Sequence, residues 1–141
     1  MMAYWPSKIE PGSTIEHPSA FRDFFPTAME IAGVEKNIDG FDGISFLPTL
    51  VGKEQKTHPY LYWEFLERGG RQALRMDQWK AVRLNMAKNP DAPIELFRLT
   101  NDIGEENNIA DQYPEIVIKM DELINEAHSY SGNFPFDHER K

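Results

Sequence analysis

The chain of 141 residues contains no cysteine. It therefore has no disulfide, no thiolate nucleophile and no cysteine-ligated zinc site. It also lacks any apolar run near the ~20 residues that a membrane-spanning helix needs, so no membrane span is expected. Basic residues are few and scattered, with 15 Lys and Arg against 23 Asp and Glu and a net charge of −8. Because nucleic-acid binding depends on clustered positive charge, no nucleic-acid partner is expected.

The residues that are present describe a folded protein. Hydrophobic residues make up 40% of the chain and aromatic residues 12%, which is typical of a globular fold with an aromatic-rich core. Residues 2–5 form a short apolar run, which predicts a strand of a larger sheet. Residues 23–33 predict a helix with Asp23 as its N-cap and Gly33 at its C-terminal end. Residues 46–50 predict a short helical turn.

The middle of the chain predicts an antiparallel meander. The four predicted strands are residues 60–66, 72–76, 79–84 and 94–99. Alternation in the third strand points Trp79 towards a covering helix and Lys80 towards the open face. That helix is predicted over residues 114–128, where apolar residues recur at helical spacing. The fold class is therefore α+β: a small antiparallel four-stranded sheet packed by a C-terminal helix and preceded by a strand–helix segment.

Several short motifs follow one another between residue 2 and about residue 128. They are Trp5-Pro6 with Ile9–Gly12, Asp23-x-x-Pro26-Thr27 with Ala32-Gly33, Asp42–Pro48 with Leu50 and Gly52, and then Arg75, Trp79-Lys80, Glu95–Leu99, Asp102, Glu105, Asn108 and Ala110. Each motif is weak alone, but together and in this order they resemble the C-terminal region of the formylglycine-dependent sulfatases, in the alkaline-phosphatase-like superfamily. The chain departs from the family pattern at Ser7, Arg98 and Ile103-Gly104, where Gly, Asp or Asn, and a Pro step are usual.

The resemblance implies a sulfuric ester hydrolase of the arylsulfatase type. Its cofactors would be calcium and a formylglycine made from Cys or Ser in a C/S-x-P-x-R motif, which combine nucleophilic and metal-ion catalysis. This chain has no Cys, and none of its serines is followed by x-Pro-x-Arg. No calcium-ligand position of the family matches it either. We therefore predict no catalytic residue and no metal ligand, and expect the chain alone to be inactive.

The resemblance also implies a division of the chain and a set of partners. Residues 1–52 would be the C-terminal edge of the main α/β sulfatase domain, and residues 53–141 the C-terminal subdomain. The expected partner is a missing N-terminal sulfatase domain, or a second copy through an exposed apolar surface. That surface would include Phe21, Phe24, Phe25 and Met29. The intact enzyme would act on sulfated carbohydrate or aryl sulfate, in the periplasm or outside the cell.

One hairpin is the candidate substrate-contacting element. Its site residues are Trp63, Glu64, Glu67, Arg68 and Arg71. Aromatic faces stack on sugars, and carboxylates or Arg hydrogen-bond to hydroxyl and sulfate groups. The alternative is that Trp63 belongs to the sheet core and that the charges are solvated turn residues. A second functional hypothesis is a stand-alone binding module for sulfated carbohydrate that uses this same hairpin.

The remaining polar residues suggest structural roles. The four histidines, His17, His58, His128 and His138, have no metal-ligand spacing, and we expect surface or hydrogen-bonding roles for them. The acidic loop 102–108 lacks the ligand spacing of an EF-hand, and we expect it to cap the helix that follows. Arg75 is predicted either to bind an anionic substrate or to pair with an acidic loop.

Overall fold

The computed structural model describes residues 1–34, 40–87 and 89–139. The chain forms two compact units, residues 1–58 and residues 59–141. The helices are α1 (Phe24–Ile31), α2 (Leu47–Leu50) and α3 (Pro114–Ala127). The strands are β1 (Leu61–Phe65), β2 (Arg71–Met76), β3 (Trp79–Leu84) and β4 (Ile94–Arg98). Short 3₁₀ turns span Phe21–Asp23, Ala110–Gln112 and Asp137–Glu139. The predicted domain boundary at residue 52 stays a prediction.

The N-terminal segment is not a strand. Residues 2–5 have no strand assignment, so that prediction is wrong for the structure described. A strand exists only where a neighbouring strand accepts and donates its backbone hydrogen bonds, and no described residue does so here. The carbonyl of Trp5 instead accepts the amides of Lys8 and Ile9, at 3.1 and 3.0 Å, and closes a turn. Ser7 within this turn has φ 66°, a left-handed conformation that glycine adopts more easily.

Helix α1 lies close to its predicted position, but its first turn is built differently. Gly33, with φ 69°, follows the helix as expected and donates its amide to the carbonyl of Glu30. Asp23 is the N-cap residue of α1, as predicted, but its side chain makes no capping bond to this helix. Asp23 has helical dihedral angles, and its carboxylate bonds to other parts of unit 1. The expected apolar surface is present, since Phe21 and Phe24 are exposed.

Unit 2 is the predicted meander. The strand order is β1-β2-β3-β4, every pair is antiparallel, and α3 packs on one face. The four strands and the helix are therefore confirmed. The centre of the core is formed by side chains that are fully buried: Leu74, Ala81, Leu96, Met120 and Ile124.

Trp79 belongs to this core, on the face of the sheet that α3 covers, as predicted. Its ring packs 4.9 Å from that of Tyr113, next to the start of α3. The guanidinium of Arg98 lies 4.6 Å from the Trp79 ring centre and 5.1 Å from that of Tyr113. The three side chains therefore form a cation–π stack that joins β3 and β4 to the beginning of α3. None of the helices in the described ranges is long and apolar enough to cross a membrane.

Candidate functional site

The predicted site residues lie on both faces of the β1–β2 hairpin. Trp63 pairs with Ala73, Glu64 with Gln72, and Phe65 with Arg71. Successive side chains of a strand point to opposite faces, so Trp63, Phe65 and Arg71 share the face away from α3. On that face Trp63 is 41% exposed and Phe65 49% exposed. Trp63 is therefore not part of the core beneath α3, and its side chain is partly exposed to solvent.

Glu64 lies on the opposite face of the hairpin. Its carboxylate accepts a hydrogen bond from the Tyr62 hydroxyl and also contacts Nδ1 of His128. Burial, and then the bond to Glu64, raise the pKa of Tyr62 well above its usual value of 10.0. Tyr62 therefore stays protonated and acts as a donor. The structure does not bring Glu64 together with Trp63.

Glu67 and Arg68 lie in the turn that joins the two strands. Both are exposed, and the carbonyl of Glu67 accepts the amide of Gly70 at 3.2 Å. Arg68, Gly69 and Gly70 have φ values of 53°, 88° and 75°. Three successive left-handed residues make a tight reversal of the chain between the two strands.

A second polar cluster, which the sequence did not lead us to predict, lies on the face of the sheet that α3 covers. Arg83 is buried; its guanidinium donates to Gln72 and pairs with Asp121 of α3. Gln72 in turn donates to the Tyr62 hydroxyl at 2.9 Å. This network borders a cavity of about 260 Å³ that is also lined by Asn125. The sequence does contain an indication of this cluster, because alternation in the third strand places the charged Arg83 on the apolar face.

His128 joins this network to the C-terminal turn. Its Nδ1 contacts Glu64, and its Nε2 lies 2.8 Å from Oε1 of Glu139. Burial lowers the pKa of His128, but its bonds to the two carboxylates outweigh burial and raise the pKa above 6.5. Burial raises the pKa of Glu139, but its bond to His128 outweighs this and lowers the pKa below 4.5. The predicted hydrogen-bonding role of His128 is confirmed.

Unit 1 contains a separate buried carboxylate, Asp23, which is 1% exposed. Its Oδ2 accepts the amide of Ala20 at 2.7 Å, and its Oδ1 accepts the amide of Ile44 at 2.9 Å and Nε2 of His58 at 2.8 Å. Burial alone would raise the pKa of Asp23, but the bonds from Ala20, Ile44 and His58 lower it below 3.8. These bonds confirm the expected hydrogen-bonding role of His58. They also show that Asp23 holds three segments of unit 1 together.

The acidic loop is also tied down by hydrogen bonds. The carboxylate of Asp102 accepts the amides of Glu106 and Asn107, at 3.0 and 2.9 Å. Glu105 pairs with Lys80 at 2.5 Å, so it is Lys80, and not Arg75, that is seen to bond to this loop. Because these carboxylates already bind backbone amides and a lysine, they do not form a set of converging oxygen ligands. Among the described residues, this loop therefore offers no group of ligands that could hold a calcium ion.

Comparisons with known proteins agree with this geometry. Residues 1–129 match the family described as N-sulphoglucosamine sulphohydrolase, C-terminal. Arylsulfatase K of Danio rerio is 29% identical over 129 residues, which cover 86% of this chain and 24% of that protein. The solved structure of Ps i-CgsB has a TM-score of 0.72 and 25% identity, and the match covers 87% of this chain and 27% of that one. A Bacteroides thetaiotaomicron protein of glycosaminoglycan metabolism has a TM-score of 0.64 and 25% identity, and the match covers 86% of this chain and 27% of that one.

The four-stranded sheet with its covering helix is thus the fold of the C-terminal region of a sulfatase. More particularly, the chain belongs to the family of N-sulphoglucosamine sulphohydrolase C-terminal regions. The resemblance and the α+β fold class inferred from the sequence are confirmed. The chain spans about a quarter of the length of the relatives that it matches.

Proposed function

We propose that this chain is the C-terminal portion of a sulfuric ester hydrolase that acts on sulfated carbohydrate. In this proposal it supplies structural support and substrate contacts, while the formylglycine nucleophile and the calcium ligands belong to other parts of the enzyme. The observation that carries the proposal is the family match over residues 1–129. The absence of any Cys or Ser-x-Pro-x-Arg motif supports the division of labour.

The substrate class follows from the relatives and from the open face of the hairpin. One relative functions in the metabolism of multiple glycosaminoglycans, which are sulfated polysaccharides. The half-exposed ring of Trp63 suits stacking against the apolar face of a sugar ring. The guanidinium of Arg71, on the same face, suits a bidentate bond to a sulfate group. Glu67 and Arg68 in the adjoining turn suit contacts with hydroxyl and sulfate groups of a neighbouring sugar.

Glu64 has a different place in this proposal. Its carboxylate is directed away from Trp63 and bonds to Tyr62 and His128. We assign it the role of holding β1 in position, so that Trp63 and Arg71 keep their relative placement. Substitution of Glu64 should then weaken carbohydrate binding less than substitution of Trp63, provided that the hairpin stays folded.

Hydrolysis by the chain alone is the first test. The 141-residue chain is incubated with calcium and 4-nitrophenyl sulfate, and release of nitrophenolate is followed by absorbance. No turnover above the buffer rate is expected, because an activated nucleophile is needed for this chemistry. Sustained turnover that scales with protein concentration and survives repurification would disprove the proposed division of labour.

A second candidate function is autonomous binding of sulfated carbohydrate, which the exposure of Trp63 beside Arg71 favours. It is tested by titrating the chain with heparan sulfate oligosaccharides while tryptophan fluorescence is recorded. Saturable quenching that Trp63→Ala abolishes, and that Trp5→Phe preserves, would support autonomous binding. Desulfated oligosaccharide of the same length is the matched ligand control. A flat titration would leave the hairpin with a role in the intact enzyme only.

A further inference from the structure

His128 lies between two carboxylates that come from distant parts of unit 2. It follows α3 directly; its Nδ1 contacts Glu64 of β1, and its Nε2 lies 2.8 Å from Glu139 of the C-terminal turn. The three side chains are half-buried, with 24% of the surface exposed for His128 and Glu64 and 15% for Glu139. The imidazole ring is therefore a direct link between the sheet and the C-terminal turn, residues 137–139.

The hydrogen-bonding chemistry of this link depends on the charge of the ring. An ionised carboxylate only accepts hydrogen bonds, whereas a neutral imidazole has one N–H donor and one acceptor nitrogen. Only the imidazolium form donates to Glu64 and Glu139 at the same time. When the ring is neutral, one of its nitrogens directs a lone pair at a carboxylate oxygen, which is repulsive.

Glu139 also bonds to the backbone of Phe136, whose aromatic side chain is buried. Its Oε2 accepts the amide of Phe136 at 2.7 Å, and its own amide donates to the carbonyl of Phe136 at 3.0 Å. Phe136 is 2% exposed, and its ring centre lies 5.6 Å from that of His128. The ring also packs against Gly70, where an added Cβ would lie 3.3 Å from Cδ1 of Phe136. The Phe136 ring thus anchors the terminal segment to the β1–β2 hairpin.

We propose that His128 is a pH-operated clasp: in its protonated form it fastens residues 129–139 to β1, and in its neutral form it releases them. Release would uncover the apolar slot beside Gly70 that Phe136 fills. The proposal concerns the conformation of unit 2 and does not rest on the proposed function.

The direction of the pH dependence follows from the groups around the ring. The titratable and charged residues that face or border it are Tyr62, Glu64, Arg83, Asp91, Asp121, His138 and Glu139. Since the pKa of His128 is raised, the stability that its charge contributes is complete below 6.5 and is lost as pH rises through the raised pKa. Since the pKa of Glu139 is lowered, its contribution is complete above 4.5 and is lost as pH falls through the lowered pKa.

Two measurements on the full chain test the clasp. The pKa of His128 is obtained by NMR titration of its ring resonances. Hydrogen exchange at the amides of Phe136 and Glu139 is measured on either side of that pKa and corrected for the intrinsic exchange rate. In the released state the pKa of His128 should be close to its usual value of 6.5. Deprotonation of His128 should then lower the protection factor of these amides by ~10-fold for each unit by which the measured pKa exceeds 6.5.

The variants separate the clasp from general stability. His128→Gln should show lower protection that no longer changes between pH 6 and pH 9, and Glu139→Gln should bring the pKa of His128 down. His17→Gln, in unit 1, is the matched control and should leave both measurements unchanged. A His128 pKa at or below 6.5 overturns the proposal, as does a protection factor that is independent of pH. Were His128→Gln unfolded, the two wild-type measurements would still decide the matter.

Discussion

The buried carboxylate of Asp23 leads to a prediction whose size can be worked out from its bonds. In Asp23→Asn the amide oxygen can take the place of Oδ1 and keep the bonds from Ile44 and His58. The new NH₂ group then faces the amide of Ala20, which bonded to Oδ2 in the wild type. Two donors are left facing each other in a buried site. Each unsatisfied buried donor costs about 1–3 kcal/mol, so the expected loss for the two donors is about 2–6 kcal/mol.

Native-state hydrogen exchange at the backbone amides of α1 measures this loss. It gives the free energy of opening for unit 1 and does not require the two units to unfold together. Asp42→Asn is the matched control, since it makes the same chemical change at an exposed carboxylate of the same unit. In the wild type, α1 should also lose protection as pH falls through the lowered pKa of Asp23, because its contribution is complete above 3.8. Equal effects of Asp23→Asn and Asp42→Asn, within about 0.5 kcal/mol, would refute the reasoning.

Two further predictions concern unit 2 and are checked by urea unfolding followed by tryptophan fluorescence. Asp121→Ala should lower the free energy of unfolding by about 2–3 kcal/mol, because it leaves the buried Arg83 guanidinium without its carboxylate partner. Arg83→Met should lower it by only about 1 kcal/mol, because the freed Asp121 is 43% exposed and regains water. Equal losses in the two variants would contradict this asymmetry. Leu74→Ala should cost about 2–5 kcal/mol, because the fully buried side chain leaves a cavity beneath α3, and a loss below 1 kcal/mol would mean that the sheet does not pack there.

The regular elements of unit 2 could be predicted because their signals are local. Alternation marked the third strand at residues 79–84, where the structure places it. Helical spacing marked residues 114–128, and the helix ends at Ala127. The same alternation already places Trp63 and Glu64 on opposite faces of β1, and grouping them in one site overlooked this consequence. The positions of the strands could therefore be predicted from the sequence, and so could the placement of Trp63 and Glu64 on opposite faces of β1.

The polar contacts could not be predicted because their partners are far apart in the sequence. Asp23 bonds to Ile44 and His58, which lie 21 and 35 residues away. His128 and Glu64 are separated by 64 residues. No periodicity or local propensity encodes such pairs, since they form only when packing brings distant segments together. For the same reason the sequence predicted the N-cap position of Asp23 but not its bonds to Ile44 and His58.

Several residues of the motifs that resemble the sulfatase family hold the backbone in place. The hydroxyl of Thr27 donates to the carbonyl of Asp23 at 2.7 Å and accepts a backbone amide at 3.0 Å. A Cβ at Gly43 would collide with the carbonyl of Arg22, so only glycine fits there. Oδ1 of Asn108 accepts two backbone amides, each at 3.0 Å, and ties the acidic loop to β4. Residues of this kind hold a fold in place whatever reaction takes place beside it. That is why such residues can establish family membership, and why substitutions at these positions should reduce stability.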